Sequence, residues 1–79
     1  SPYEYWQFWR NTDDKDVVNF LKLFTDLNIN KITELEKNND DINKLKILLA
    51  NETTTMLHGS KAAKESEILS GLVHTSAKS

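Results

Sequence analysis

The chain has 79 residues, 38% of them hydrophobic, with ten basic and twelve acidic side chains for a net charge of −2. That length bounds it to one small domain. Its apolar content suits a packed core rather than a disordered chain, and its charge excludes a freestanding, strongly basic nucleic-acid binder. Cysteine is absent, which excludes disulfides and thiolate metal sites and fits a reducing compartment. No apolar run reaches the roughly 18 residues that a membrane span needs. The start at Ser1-Pro2 has neither an initiator Met nor a signal-like run, and reads as the beginning of a piece cut from a longer polypeptide.

The expected fold class is all-α, a compact bundle of four to five helices filling residues 1–74, with 75–79 as a frayed tail. The only proline is Pro2, the only glycines are Gly59 and Gly71, and strand-like alternation is nowhere sustained. A first helix is expected from Pro2 to Asn11. Ser1 and Glu4 form a capping box, and Pro2 takes the first helical position, where its missing N–H is harmless. This helix carries Tyr3, Tyr5, Trp6, Phe8 and Trp9. Tyr5, Phe8 and Trp9 share one face, beside Pro2 and Trp6, and so wide an apolar stripe is expected to be largely buried. Asn11-Thr12-Asp13 breaks the helix and caps a second one, through Asp13 with Asp16 or through Thr12. In that second helix Val17, Phe20, Leu21, Phe24 and Leu27 recur at three- and four-residue spacing, the expected spine of the core.

Asn28 is expected to cap a short third helix over 29–37 with Ile29, Ile32 and Leu35 inward. A loop at Lys37-Asn38-Asn39-Asp40 follows, then a long helix over 41–58. There Ile42, Leu45, Leu48, Leu49, Met56 and Leu57 point mostly one way, and Gly59 is the stop. Ser60 is expected to cap a fifth helix through Ala62, Ala63, Ser66, Ile68 and Leu69, ending between Gly71 and Val73.

Three blocks carry more than periodicity: SPYEYWQFWRNTDD at 1–14, DVVNFLKLFTDL at 16–27 and INKLKILLANETTTMLHG at 42–59. Together they resemble the helical domain that follows the catalytic half of bacterial-type tyrosyl-tRNA synthetases, in the flavour of alphaproteobacterial and mitochondrial enzymes. The resemblance covers about residues 1–63 and weakens after Lys64. It implies a parent class I synthetase, normally a homodimer, that joins tyrosine to tRNA-Tyr using ATP with Mg. That chemistry would lie in a preceding Rossmann-like domain bearing HIGH-type and KMSKS-type signatures, neither of which occurs in these 79 residues. It further implies a following small RNA-binding domain, and a location in the bacterial cytoplasm or the mitochondrial matrix. No catalytic, cofactor-binding or metal-ligating residue is carried over, and no membrane partner is implied. The helical domain itself would contact the anticodon arm and support the KMSKS loop upstream.

Within that frame the tRNA-binding candidates are Arg10, Asn11, Thr12, Asp13, Asp14 and Lys15. Amide groups at the start of the second helix, with Arg10 and Lys15, suit a phosphate. Asp13 or Asp14 suits a guanine edge, since some members of the family use a carboxylate here for the first anticodon base. The competing reading of the same residues is helix capping and solvation. The aromatic cluster stacks bases on one reading; on the other it forms core and an interdomain surface exposed where a partner domain is missing. That face also supports an alternative function, a helical protein–protein interaction module. Glu52 beside the apolar stripe needs a partner, with Arg10, a Trp N–H or a hydroxyl as candidates. His58 suits a helix C-terminus, and two histidines sixteen residues apart make no zinc site. Lys22, Lys44 and Lys46 belong on solvated faces.

Overall fold

The computed structural model describes residues 1–38 and 41–71. Among these, five α-helices and one 3₁₀ turn account for all regular structure, and no strand occurs. The helices are α1 (Pro2–Arg10), α2 (Val17–Phe24), α3 (Ile29–Asn38), α4 (Ile42–His58) and α5 (Ser60–Leu69), with the 3₁₀ turn at Asp14–Asp16 between α1 and α2. The radius of gyration is 12.5 Å.

Local sequence sets the helix ends. Ser1 Oγ accepts from the Glu4 amide at 3.3 Å, and the Glu4 carboxylate reaches back to the N-terminal amine at 3.7 Å, so the capping box forms. Asn28 Oδ1 accepts from the Asn30 amide at 2.7 Å, and Asp41 Oδ1 from the Asn43 amide at 3.0 Å. Thr25 closes α2: its hydroxyl donates to the Leu21 carbonyl at 2.6 Å, and its backbone is extended. Gly59 ends α4 and caps α5 at once, with φ 94° and ψ 159°, a region open to glycine alone. Ser60, expected to be that cap, is instead the first residue of α5 and makes no capping bond. The fifth helix stops at Leu69, with Ser70 and Gly71 in a turn. The expected loop positions 39–40, and the boundary at 74/75 with Val73 and His74, lie outside the described residues.

Helix α4 is shared between two packing layers. One is an aliphatic cluster of Val17, Leu21, Ile32, Leu45 and Leu49, joined by Phe20, Leu27, Leu35 and Leu48. The spine expected of the second helix is therefore real at Val17 and Leu21. The other layer lies where α1, α4 and α5 meet, and Trp6, Ala50, Thr53, Thr54, Ala63 and Ser66 are its buried residues. Apart from Trp6 these are small, which lets the helix backbones close on the one large indole. The Trp6 Nε1–H donates to Asn51 Oδ1 at 2.7 Å, and Asn51 Nδ2 donates to Glu67 Oε1 at 3.0 Å. One side-chain chain thus ties three helices together.

Several apolar residues expected inside are outside: Phe8, Ile29, Met56 and Leu57 are each more than half exposed. The five aromatics of α1 spread over roughly 220° of helix circumference at about 100° per residue. A small bundle cannot cover that arc. Trp6 is enclosed, Tyr3, Tyr5 and Trp9 are half-buried, and Phe8, at one edge of the arc, faces out.

Two stability outcomes follow. Asn51→Leu strands a buried indole donor and should cost about 1–3 kcal/mol in urea unfolding. Glu67→Gln, which keeps an acceptor for Asn51, should cost much less. Gly59→Ala meets no atom within 4 Å of its new Cβ; it should still cost about 1–3 kcal/mol through backbone strain alone.

Candidate nucleic-acid interface

The segment from Arg10 to Lys15 forms a tight exposed turn, but its six residues do different things. Thr12 is buried, and its hydroxyl donates to the Trp9 carbonyl at 2.7 Å while its amide donates to the same carbonyl at 3.1 Å. It therefore finishes α1 rather than opening α2. Asn11 is the C-cap of α1, its amide bonding back to the Gln7 carbonyl. Neither Asp13 nor Asp16 makes the expected side-chain cap; the turn closes through backbone, Asp16 N–H to the Asp13 carbonyl at 2.9 Å. The 3₁₀ turn stands between this loop and α2, so Asn11–Asp13 do not lie at the start of that helix.

Asp14 and Asp13 separate clearly. Asp14 Oδ1 pairs with Lys46 Nζ at 2.6 Å, across to α4, and Lys46 retains only 15% of its side-chain exposure. Lys46 is thus not on a solvated face: its stem lies along the bundle and its ammonium pins the turn. Lys22 and Lys44 are exposed as expected. Asp13 is exposed, extended and without a side-chain cap bond. Arg10 is half-exposed and lines a polar hollow of about 220 Å³ with Trp6, Gln7, Asn11 and Ser70. Lys15 is exposed. The side chains left free to meet an anion or a base edge are therefore those of Arg10, Asn11, Asp13 and Lys15, on a turn held by Thr12 and Asp14.

Asn51 was missed by sequence reasoning, which looked to its neighbour. Glu52 is half-buried and makes no hydrogen bond or ion pair among the described residues. One residue along a helix is about 100° of rotation, and the Trp6 indole meets position 51 rather than 52. The available signal was an Asn beside Ala50 on the inner face of α4. His58 closes α4 and stands edge-on to Tyr5, ring centroids 5.3 Å apart. Among the described residues no cluster of His, Asp and Glu is arranged to hold a metal. No described helix is long and apolar enough to cross a membrane.

A family model described as class I tRNA synthetases (W and Y) matches residues 1–72, and the chain belongs to that family. The match runs past residue 63, where the sequence resemblance was expected to fade. Within the family the chain is similar to tyrosine–tRNA ligases. It is 57% identical to that of Pelagibacter ubique over 65 residues, which is 82% of this chain and 15% of the relative. Against the Zymomonas mobilis enzyme it is 58% identical over 66 residues, 82% of this chain and 16% of the relative. With that of Paracoccus denitrificans it shares 54% over 68 residues, 85% of this chain and 16% of the relative. The chain thus spans about 15% of the length of the curated relatives it matches.

The ion pair makes a defined prediction. A double-mutant cycle of Asp14→Asn and Lys46→Met should give a coupling of about 0.2–1 kcal/mol that shrinks with added salt. Asp13→Asn should leave stability unchanged within about 0.5 kcal/mol, since its side chain is exposed and uncapped.

Proposed function

We propose that this chain is the part of a tyrosine–tRNA ligase that positions the anticodon arm of tRNA-Tyr. The observation that carries the reading is the match to tyrosine–tRNA ligases, at 57% identity over 82% of the chain. The turn adds physical support: Arg10 and Lys15 suit backbone phosphates, and Asp13, with no capping role, suits a guanine edge. The acidic pair Asp13 and Asp14 opposes nonspecific phosphate binding, and pairing with Lys46 offsets one of those charges. Binding by this piece is therefore weak and local, and depends on the rest of the enzyme for affinity.

On this reading the parent chain joins tyrosine to its tRNA at the expense of ATP with Mg. Residues 1–79 contain neither synthetase signature and no carboxylate cluster fit for a metal among those described, so no catalytic step is assigned to them. The preceding Rossmann-like domain would do the bond-making, and a following small RNA-binding domain would share the tRNA. A homodimeric parent in the bacterial cytoplasm or mitochondrial matrix completes the proposal.

The test is kinetic. In the full-length enzyme, Arg10→Ala with Lys15→Ala should raise KM for tRNA-Tyr by roughly tenfold, equivalent to ~1.4 kcal/mol. Tyrosine-dependent pyrophosphate exchange should stay unchanged, and the salt dependence of tRNA binding should become shallower. Loss of pyrophosphate exchange in a folded variant would refute a pure positioning role.

A further inference from the structure

The turn from Arg10 to Asp16 spans two fixed points. Trp9 packs against the aliphatic cluster at one end, and Val17 is a fully buried member of that cluster at the other. The bonds that shape the span are local. The Asn11 amide reaches the Gln7 carbonyl, the Thr12 amide and hydroxyl reach the Trp9 carbonyl, and the Asp16 amide reaches the Asp13 carbonyl. Bonds within four residues set the curvature of a turn; they do not set where its middle stands against the rest of the bundle. Asp14 supplies that constraint, since its Oδ1 meets Lys46 Nζ on α4 at 2.6 Å.

The two partners are not equivalent. The Asp14 side chain keeps 70% of its exposure and that of Lys46 only 15%. Lys46 stands on α4 next to the buried Leu45, so packing restricts its stem and with it the place of the ammonium. Control therefore runs from the helix to the turn. It acts where recognition is exposed, because Asp13 and Lys15, two of the free side chains, are the immediate chain neighbours of Asp14. Pairing also keeps the Asp14 carboxylate occupied, which leaves Asp13 as the acceptor for a base edge. The sequence alone left the choice between those two carboxylates open, and Lys46 makes it.

We propose that Lys46 is a positioning residue for tRNA recognition: through Asp14 it holds Asp13 and Lys15 in register with the anticodon arm while touching no nucleotide itself. The proposal rests on reading this chain as the tRNA-positioning part of a tyrosine–tRNA ligase, and adds to that reading a determinant outside the Arg10–Lys15 turn.

A double-mutant cycle read in aminoacylation by the full-length enzyme tests it. Lys46→Met keeps the apolar stem, Asp14→Asn keeps the shape of its side chain, and each removes the pair. Each single variant should raise KM for tRNA-Tyr by about threefold to fivefold, the scale that a pair of this exposure supplies. The double variant should be no worse than either single one, because the same interaction is lost in all three. Saturating tRNA should restore the full kcat, and Lys46→Arg should hold KM within about twofold of wild type. A pair that serves stability alone leaves KM unchanged in the folded variants, and that result overturns the proposal. So does a lower KM in Asp14→Asn, which means that Asp14 acts on phosphate by repulsion alone. Effects that add in the double variant overturn it as well, since they mean independent contacts with RNA. If Lys46→Met fails to fold, the exposed Asp14→Asn and the Lys46→Arg variant still decide. A wild-type enzyme that charges tRNA-Tyr beside indifferent variants loses this inference alone. A wild-type protein that charges no tRNA-Tyr loses the ligase reading, and this inference with it.

Discussion

The bond from the Trp6 indole to Asn51, and onward to Glu67, is the constraint on which the rest of the bundle depends. Trp6 is fully buried, and an indole N–H enclosed without an acceptor is strongly unfavourable. The 2.7 Å bond to Asn51 therefore fixes the rotation of α1 against α4, and Glu67 fixes α5 against both. With that rotation set, Trp9 turns toward α2, where it meets Phe20 and Phe24 at centroid distances of 5.9 and 5.4 Å. The aromatic contacts carry the orientation from the small-residue layer into the aliphatic one. A helix only nine residues long gains little stability by itself. Its contribution comes from this interlock, and its end carries the Arg10–Lys15 turn.

Most helix limits were legible in the sequence because they rest on short-range chemistry, although the caps expected of Asp13 or Asp16 and of Ser60 are not made and α2 stops at Phe24, short of Leu27. Ser1, Asn28, Asp41 and Gly59 each act within four residues, and each does what its residue type implies. The core of α2 was legible for the same kind of reason, since Val17 and Leu21 sit four apart on one side and both pack in the cluster, which Ile32 joins from α3. What failed was assignment of which apolar residues win the limited interior. Met56 and Leu57 follow the α4 pattern, yet the neighbouring buried positions are Thr53 and Thr54. Thr53 satisfies its hydroxyl within its own helix, on the Leu49 carbonyl at 2.8 Å, and so buries at little cost. Periodicity ranks residues by hydrophobicity and cannot see that closely packed helices prefer small side chains there.

The candidate interface shows the same division. That Arg10–Lys15 would be a turn was plain from Asn11-Thr12-Asp13. Which of its members are structural was not, because the deciding partners are remote: Thr12 is settled by the depth at which α1 ends, and Asp14 by Lys46, thirty-two positions along the chain and brought close only by the fold. A single sequence gives no distance between those two residues. Removing Thr12 and Asp14 from the free set narrows the chemistry to two cations, one carboxylate and the Asn11 amide, a better match to reading one base edge beside a phosphate than to gripping a backbone.

Helix α4 runs from that turn to an exposed apolar end. Lys46 near its start holds the turn, while Met56 and Leu57 lie exposed near its end, about 15 Å further along the axis at 1.5 Å per residue. No glycine or proline interrupts the seventeen residues from Ile42 to His58, which removes the usual cause of a sharp kink. On the proposed reading, the turn that meets tRNA and the far end of α4 are kept at a fixed spacing by one continuous hydrogen-bonded rod. A positioning domain needs that property more than it needs affinity. Modest charge, a short free contact set and an uninterrupted central helix are then consistent parts of one design, since misplacement by an ångström costs a distant active site more than weak binding does.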